Sequence, residues 1–213
     1  RIFAEGAFSQ AFVPSYARTL EESVPEAARQ VADEALRALF AITAAITIAA
    51  QLAMPWLMLI FHAGYSDATP NFNLAVLLTQ ITMPYLACVS IAALLSGVLN
   101  SLGRFVLSAG APILLNIALI GAALIGDTPD ETARIAAIAV VIGGVSQALL
   151  LYWGVQRQDV RLSILGIPKI TPNVRHIFAL ALPGTIAASG TQINIMVSQL
   201  LASFEEGAKS WLY

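Results

Sequence analysis

The sequence predicts an all-α integral membrane protein, a polytopic helical bundle. Three observations lead there. Hydrophobic residues make up 58% of the 213-residue chain and charged residues 11%, against roughly a quarter charged in soluble domains; the mean hydropathy is +0.77. The apolar residues fall in continuous runs of about 20 residues or more, long enough to cross a bilayer as helix. Lysine and arginine gather in alternate connectors. Helices satisfy every backbone group without water, as a hydrocarbon layer requires. A β-barrel would alternate apolar and polar residues over about ten positions, and these runs do not.

The elements follow in order. RIFAEGAFSQAFVP reads as the end of a helix that starts earlier, and RIFAEG at the start and SWLY at the end suggest an internal part of a longer protein. SVPEAARQVADE, residues 23–34, reads as a short amphipathic or surface helix with Ser23 as N-cap and Pro25 in its first turn. Five spans are expected, over residues 35–62, 72–101, 105–126, 132–155 and 174–204. GYSDATPN, residues 64–71, is a loop; GDTPDET, residues 126–132, an acidic turn; and residues 156–176 a basic connector. EEG, residues 205–207, is a tight turn, and KSWLY begins a further helix.

Arg18, Arg29, Arg37, Arg104, Arg157, Arg161, Lys169 and Arg175 lie in one alternate set of connectors, eight of the eleven basic residues. The positive-inside rule makes that set cytoplasmic and turns the acidic segments outward.

Enzyme motifs are absent: the chain has no HExxH and no glycine-rich phosphate loop. His62 and His176 sit at helix ends, where histidine is usually interfacial, and no metal site or catalytic residue is expected. All five aspartates lie outside the spans, and Cys88 fills space in an apolar run. The amides Gln51, Gln80, Asn100, Asn116, Gln147, Gln192, Asn194 and Gln199 lie inside the spans. Taken singly, each reads as an interhelical hydrogen bond. Gln192, Asn194 and Gln199 crowd one helix behind Pro183–Gly184, where a kink is expected. Those polar residues read equally as packing or as the lining of a transport path.

Arg1, Glu5 and Ser9 recur every four residues and share one helix face. The next connector begins near Tyr16–Arg18, which puts Arg1 about 22 Å before that edge at helical rise. Charges at such depth need a wet cavity or a partner, and an anionic substrate is the natural partner of an arginine.

These residues carry a resemblance. RIFAEGAFSQAFVP (residues 1–14) is similar to the signature of the MurJ (MviN) family, the bacterial flippases of lipid II, the peptidoglycan precursor. MPYL (83–86), GVLNSLGRFVLSAGAPILLN (97–116), TQINIMVSQLLASF (191–204) and GAKSWLY (207–213) agree with the same family. The resemblance spans the chain. It implies the flippase fold of the MOP exporter superfamily, about fourteen helices in two lobes like the MATE exporters, and places this chain from the end of helix 2 to the start of helix 8. Residues 1–156 would then supply most of the N-terminal lobe, 157–172 a cytoplasmic connector, and 173–213 the start of the second lobe.

The resemblance further implies a cationic central cavity that takes the lipid's diphosphate. Arg1 matches the second of a paired arginine in helix 2, and Ser210 a cavity-facing serine of helix 8. With Glu5 and Ser9 these make the expected substrate cavity, and Gln192, Asn194 and Ser198 the expected transport-path residues. Lipid II, an undecaprenyl diphosphate-linked disaccharide-pentapeptide, is the expected partner, along with membrane lipids and no nucleic acid. The expected location is the bacterial cytoplasmic (inner) membrane. No cofactor is expected, and the drive would come from membrane potential or a monovalent cation. The chain departs from the family at Ser108, where proline is common, at Gly110, where the residue is larger, and at Ser198, where some members carry an aspartate linked to sodium. The resemblance therefore does not carry sodium coupling to that position. A related exporter of drugs or other lipid-linked sugars, and a non-transporting scaffold, are the alternative readings.

Overall fold

A computed structural model of the chain describes residues 8–22, 25–61, 70–158, 160–164, 166–168 and 171–202. All regular structure among them is helical: α1 (Phe8–Glu22), α2 (Pro25–Phe61), α3 (Pro70–Thr82), α4 (Tyr85–Ser101), α5 (Phe105–Ile125), α6 (Pro129–Gln156) and α7 (Pro172–Ala202). Four described stretches are long and apolar enough to cross a membrane: Glu26–Leu59, Phe72–Ser101, Phe105–Ile125 and Pro129–Gln156. The chain is therefore a multi-pass membrane protein. The expected fifth span is helical as α7, 31 residues long. It does not join those four, because Thr191, Gln192, Asn194 and Ser198 dilute its apolar content.

One boundary is corrected. The helix of residues 23–34 and the span from Ala35 are one 37-residue helix, α2, about 55 Å long. Its first half is amphipathic, with Glu26, Arg29 and Gln30 exposed on one face and a buried stripe on the other. Ala28, Val31, Ala32, Ala35, Leu36 and Leu39 are buried, a spacing of three and four that forms one stripe. Nothing between Pro25 and Pro55 obliges the helix to stop. The span of residues 72–101 stands with those bounds, and within it a turn at Met83–Pro84 separates two helices, α3 and α4. Proline lacks the N–H that would continue the ladder and its ring crowds the carbonyl four residues back. The acidic turn is also shorter than expected. Thr128 caps α6 by accepting from the Glu131 N–H at 3.3 Å, and Pro129, Asp130 and Glu131 form its first turn.

The core joins α1, α2, α4, α5, α6 and α7. Phe12 and Tyr16 of α1 stack at 5.5 Å and are fully buried with Leu94, Leu95, Val98 and Leu99 of α4, the α2 stripe, and Ile177 of α7. Gly97 lets α1 approach α4: a Cβ there would lie 3.0 Å from Val13 Cγ2 and 3.2 Å from Phe12 Cδ1. Helix α6 uses small residues on two sides. A Cβ on Gly143 would come within 2.9 Å of the Leu115 backbone on α5, and one on Gly144 within 2.5 Å of Tyr85 on α4. On the outside, Ile113, Ile117, Ile120 and Leu124 of α5 and Ile138, Ile142, Val145 and Leu149 of α6 form exposed apolar stripes. Such stripes suit lipid rather than water.

Candidate functional site

Of the expected cavity residues, Arg1, Glu5 and Ser210 lie outside the described residues. Ser9 is on α1, but its side chain also lies outside them. The described part of α1 shows what holds that motif's helix in place: Phe12 and Tyr16, one and two turns further on, anchor it against α4 and α2.

The expected path residues of α7 do not act as one cluster. Asn194 and Ser198, one turn apart, are joined by a hydrogen bond from Ser198 Oγ to Asn194 Oδ1 at 3.4 Å. Gln192 is exposed and, two residues from Asn194, points from a nearly opposite side of the helix. Pro183 and Gly184 lie within a helix that continues on both sides.

The amides in the other spans divide sharply. Gln51 Nε2 donates to the Gln80 carbonyl at 3.1 Å, and Gln80 Nε2 donates to the Gln51 carbonyl at 3.0 Å. Each carbonyl is one that a proline four residues later, Pro55 or Pro84, cannot serve. Thus α2 and the end of α3 exchange the donors that their prolines removed. Asn100 and Gln147 behave otherwise. Asn100 Oδ1 and Gln147 Nε2 are buried and have no hydrogen-bond partner among the described residues.

A second polar cluster ties the connector to α2. Asp33 and Arg37, one turn apart, form an ion pair at 2.6 Å. Both then hold Ser163: its N–H donates to Asp33 Oδ1 at 2.6 Å, and its carbonyl accepts from Arg37 Nε at 3.0 Å. Gly166, with φ +153°, lets the chain pass the same guanidinium, where a Cβ would meet Arg37 Cζ at 2.8 Å. Glu34 is buried and accepts from Gln30 Nε2 at 3.0 Å and from Thr171 Oγ1 at 2.7 Å. The Leu162 carbonyl accepts from Tyr152 Oη and Gln156 Nε2, both at 2.8 Å. The described residues of the connector between α6 and α7 have no regular structure, yet they are fastened to both α2 and α6. Sequence reasoning placed Asp33 and Glu34 on a short amphipathic or surface helix and counted Arg37 only among the cytoplasmic basic residues. Their spacing of one, three and four residues on a helix was the available signal. At the neighbouring helix ends, Arg104 Nε donates to Gln158 Oε1 at 3.0 Å, and the Arg157 guanidinium lies 4.1 Å over the Trp153 ring.

Among the described residues no group of three or more His, Cys, Asp or Glu is placed to hold a metal.

Comparison with known proteins follows this geometry. The family model described as "Lipid II flippase MurJ" matches residues 1–213. A Rhizobium tropici protein described as "Probable lipid II flippase MurJ" is 38% identical over 213 residues, covering 98% of this chain and 40% of that protein. One from Rhizobium meliloti with the same description is 36% identical over 217 residues, covering 100% and 40%. The lipid II flippase MurJ of Burkholderia cenocepacia is 33% identical over 219 residues, covering 100% and 42%. The chain thus spans about two fifths of the length of these relatives. A solved structure of a lipid II flippase MurJ in an inward closed conformation shares the fold, with a TM-score of 0.73 at 22% identity over 97% of this chain and 42% of that one.

Proposed function

The chain belongs to the lipid II flippase MurJ family, and on that premise we propose that it is part of a flippase carrying lipid II from the cytoplasmic to the periplasmic leaflet of the bacterial inner membrane. The match of the family model over residues 1–213 carries this reading. Arg1, Glu5, Ser9 and Ser210 belong to the cationic cavity that takes the diphosphate headgroup, and Asn194, Ser198 and Gln192 to the polar part of the path. Residues 1–156 form most of one lobe, 157–172 the cytoplasmic connector, and 173–213 the start of the other. Transport proceeds by alternating access. The headgroup enters from the cytoplasmic side, the lobes rock, and the undecaprenyl tail stays in lipid. No bond is made or broken, so the protein is a transporter rather than an enzyme. It needs no cofactor beyond the drive of membrane potential or a cation gradient. The clamp of Asp33 and Arg37 on Ser163 fits this scheme, because it fixes the connector to α2 just before the chain passes into α7.

The test is depletion of the complete protein followed by an assay of lipid II accessible at the outer face of the membrane. Accessible lipid II falls if the reading holds. Unchanged export after depletion, with no second flippase present, contradicts it.

A further inference from the structure

A cavity of about 300 Å³ lies between α1, α4, α5 and α6, with Val13, Ser96, Asn100, Ser108, Pro112 and Gln147 in its wall. Gln147 is 6% exposed, and its Nε2 has no partner among the described residues; the same holds for Asn100 Oδ1. Pro112 adds a third demand, because it has no N–H to offer the Ser108 carbonyl four residues back. Gln147 is nine residues from the end of α6, about 14 Å along the helix, near the middle of a hydrocarbon layer about 30 Å thick. Orphaned groups at such depth are costly.

We propose that this cavity is a binding site for water, a hydrated joint inside the helix bundle at membrane depth. The chemistry of the wall selects the guest. Among the described residues neither a basic nor an acidic side chain lines it, so they offer nothing to neutralise an anion or a cation. The unpartnered side-chain groups are one acceptor, Asn100 Oδ1, and one donor, Gln147 Nε2, and Pro112 withholds the N–H that the Ser108 carbonyl would otherwise take within its own helix. Water donates twice and accepts, which meets that set, and it also serves if either amide is turned over. The Ser96 and Ser108 side chains line the same wall; Ser108 Oγ already donates to the Ser96 carbonyl at 3.4 Å. The space holds several waters, each needing about 30 Å³ in the liquid, with polar partners to order them. At the α2–α3 prolines the freed carbonyls are served by glutamine amides; at Pro112 of α5 they are served by solvent. The proposal does not depend on which lipid the complete protein carries.

Cysteine accessibility tests it in the complete protein with its native cysteines replaced. Ser96→Cys and Ser108→Cys are labelled in membrane vesicles with a small water-soluble methanethiosulfonate, beside Ile142→Cys on the exposed stripe of α6. A hydrated cavity ionises and admits reagent to at least one of the two, which reacts about tenfold or more faster than Ile142→Cys. If both react no faster than Ile142→Cys, the proposal fails. A second measurement covers variants that fold poorly. Gln147→Met keeps the volume and removes the donor. A hydrated Gln147 loses a bond and the thermal midpoint falls, by about 2 °C or more. A rise in the midpoint shows a dry, unpaired amide and overturns the proposal.

Discussion

The side-chain amide of Gln51 donates to the main-chain carbonyl of Gln80, and the amide of Gln80 donates to the carbonyl of Gln51, at 3.1 and 3.0 Å. Each glutamine stands four residues before a proline, Pro55 or Pro84, so each accepts from its partner the hydrogen bond its own helix cannot make. The exchange predicts a specific pattern of rescue. Gln51→Leu leaves the Gln80 carbonyl unserved and costs about 1 kcal/mol. Pro84→Ala returns an N–H to that carbonyl, so the same substitution costs little in its presence. Pro55→Ala does not rescue Gln51→Leu, but it rescues Gln80→Leu. Double-mutant cycles of unfolding in detergent measure all four couplings, and equal coupling in every pair would rule the exchange out.

The connector clamp predicts local rather than global loosening. Asp33→Ala removes the acceptor of the Ser163 N–H and the partner of Arg37. Hydrogen bonds to charged groups contribute about 1.5–3 kcal/mol, so amide exchange at Ser163 rises about tenfold or more. Exchange in α5 stays as it was. Hydrogen–deuterium exchange of the complete protein reads both.

The glycines of the bundle divide by what surrounds them. Gly143→Ala places a methyl 2.9 Å from the Leu115 backbone, which must shift; the expected cost is about 1–3 kcal/mol. Gly121→Ala meets nothing within 4 Å. It gains helix propensity and is neutral or stabilising by up to about 1 kcal/mol. Thermal midpoints of the two variants move in opposite directions or differ by several degrees.

How far the sequence could be read depended on the kind of signal. Continuous apolar runs revealed the spans of α2, α5 and α6, because lipid imposes length and polarity on each segment separately. The break at Pro84 was hidden because the run on either side of it stays apolar, and only its proline marked it. The boundary set at Ala35 failed because polarity changes there without any residue that stops a helix. Eight amides read singly as bonds across helices, and Gln192, Asn194 and Gln199 together read equally as the lining of a path. Gln51 and Gln80 do bond across helices, Asn194 bonds within its own helix, and Asn100 Oδ1 and Gln147 Nε2 have no partner among the described residues. Composition cannot separate these outcomes, since they depend on which carbonyls a neighbouring proline sets free. The motif holding Arg1, Glu5 and Ser9 reads as charge at depth, and the side chains that carry that reading lie outside the described residues.

The central claim is that the complete protein moves lipid II through a cavity to which Arg1 contributes. It is tested most directly by reconstituting the complete protein and its Arg1→Ala variant in proteoliposomes carrying lipid II. The measurement is the fraction of lipid II that becomes accessible to an added enzyme on the opposite leaflet. The account predicts protein-dependent flipping by the unaltered protein and a loss of about tenfold or more in the variant, the scale of one desolvated charge-assisted contact. Equal flipping by both proteins, or none above protein-free liposomes, would contradict it.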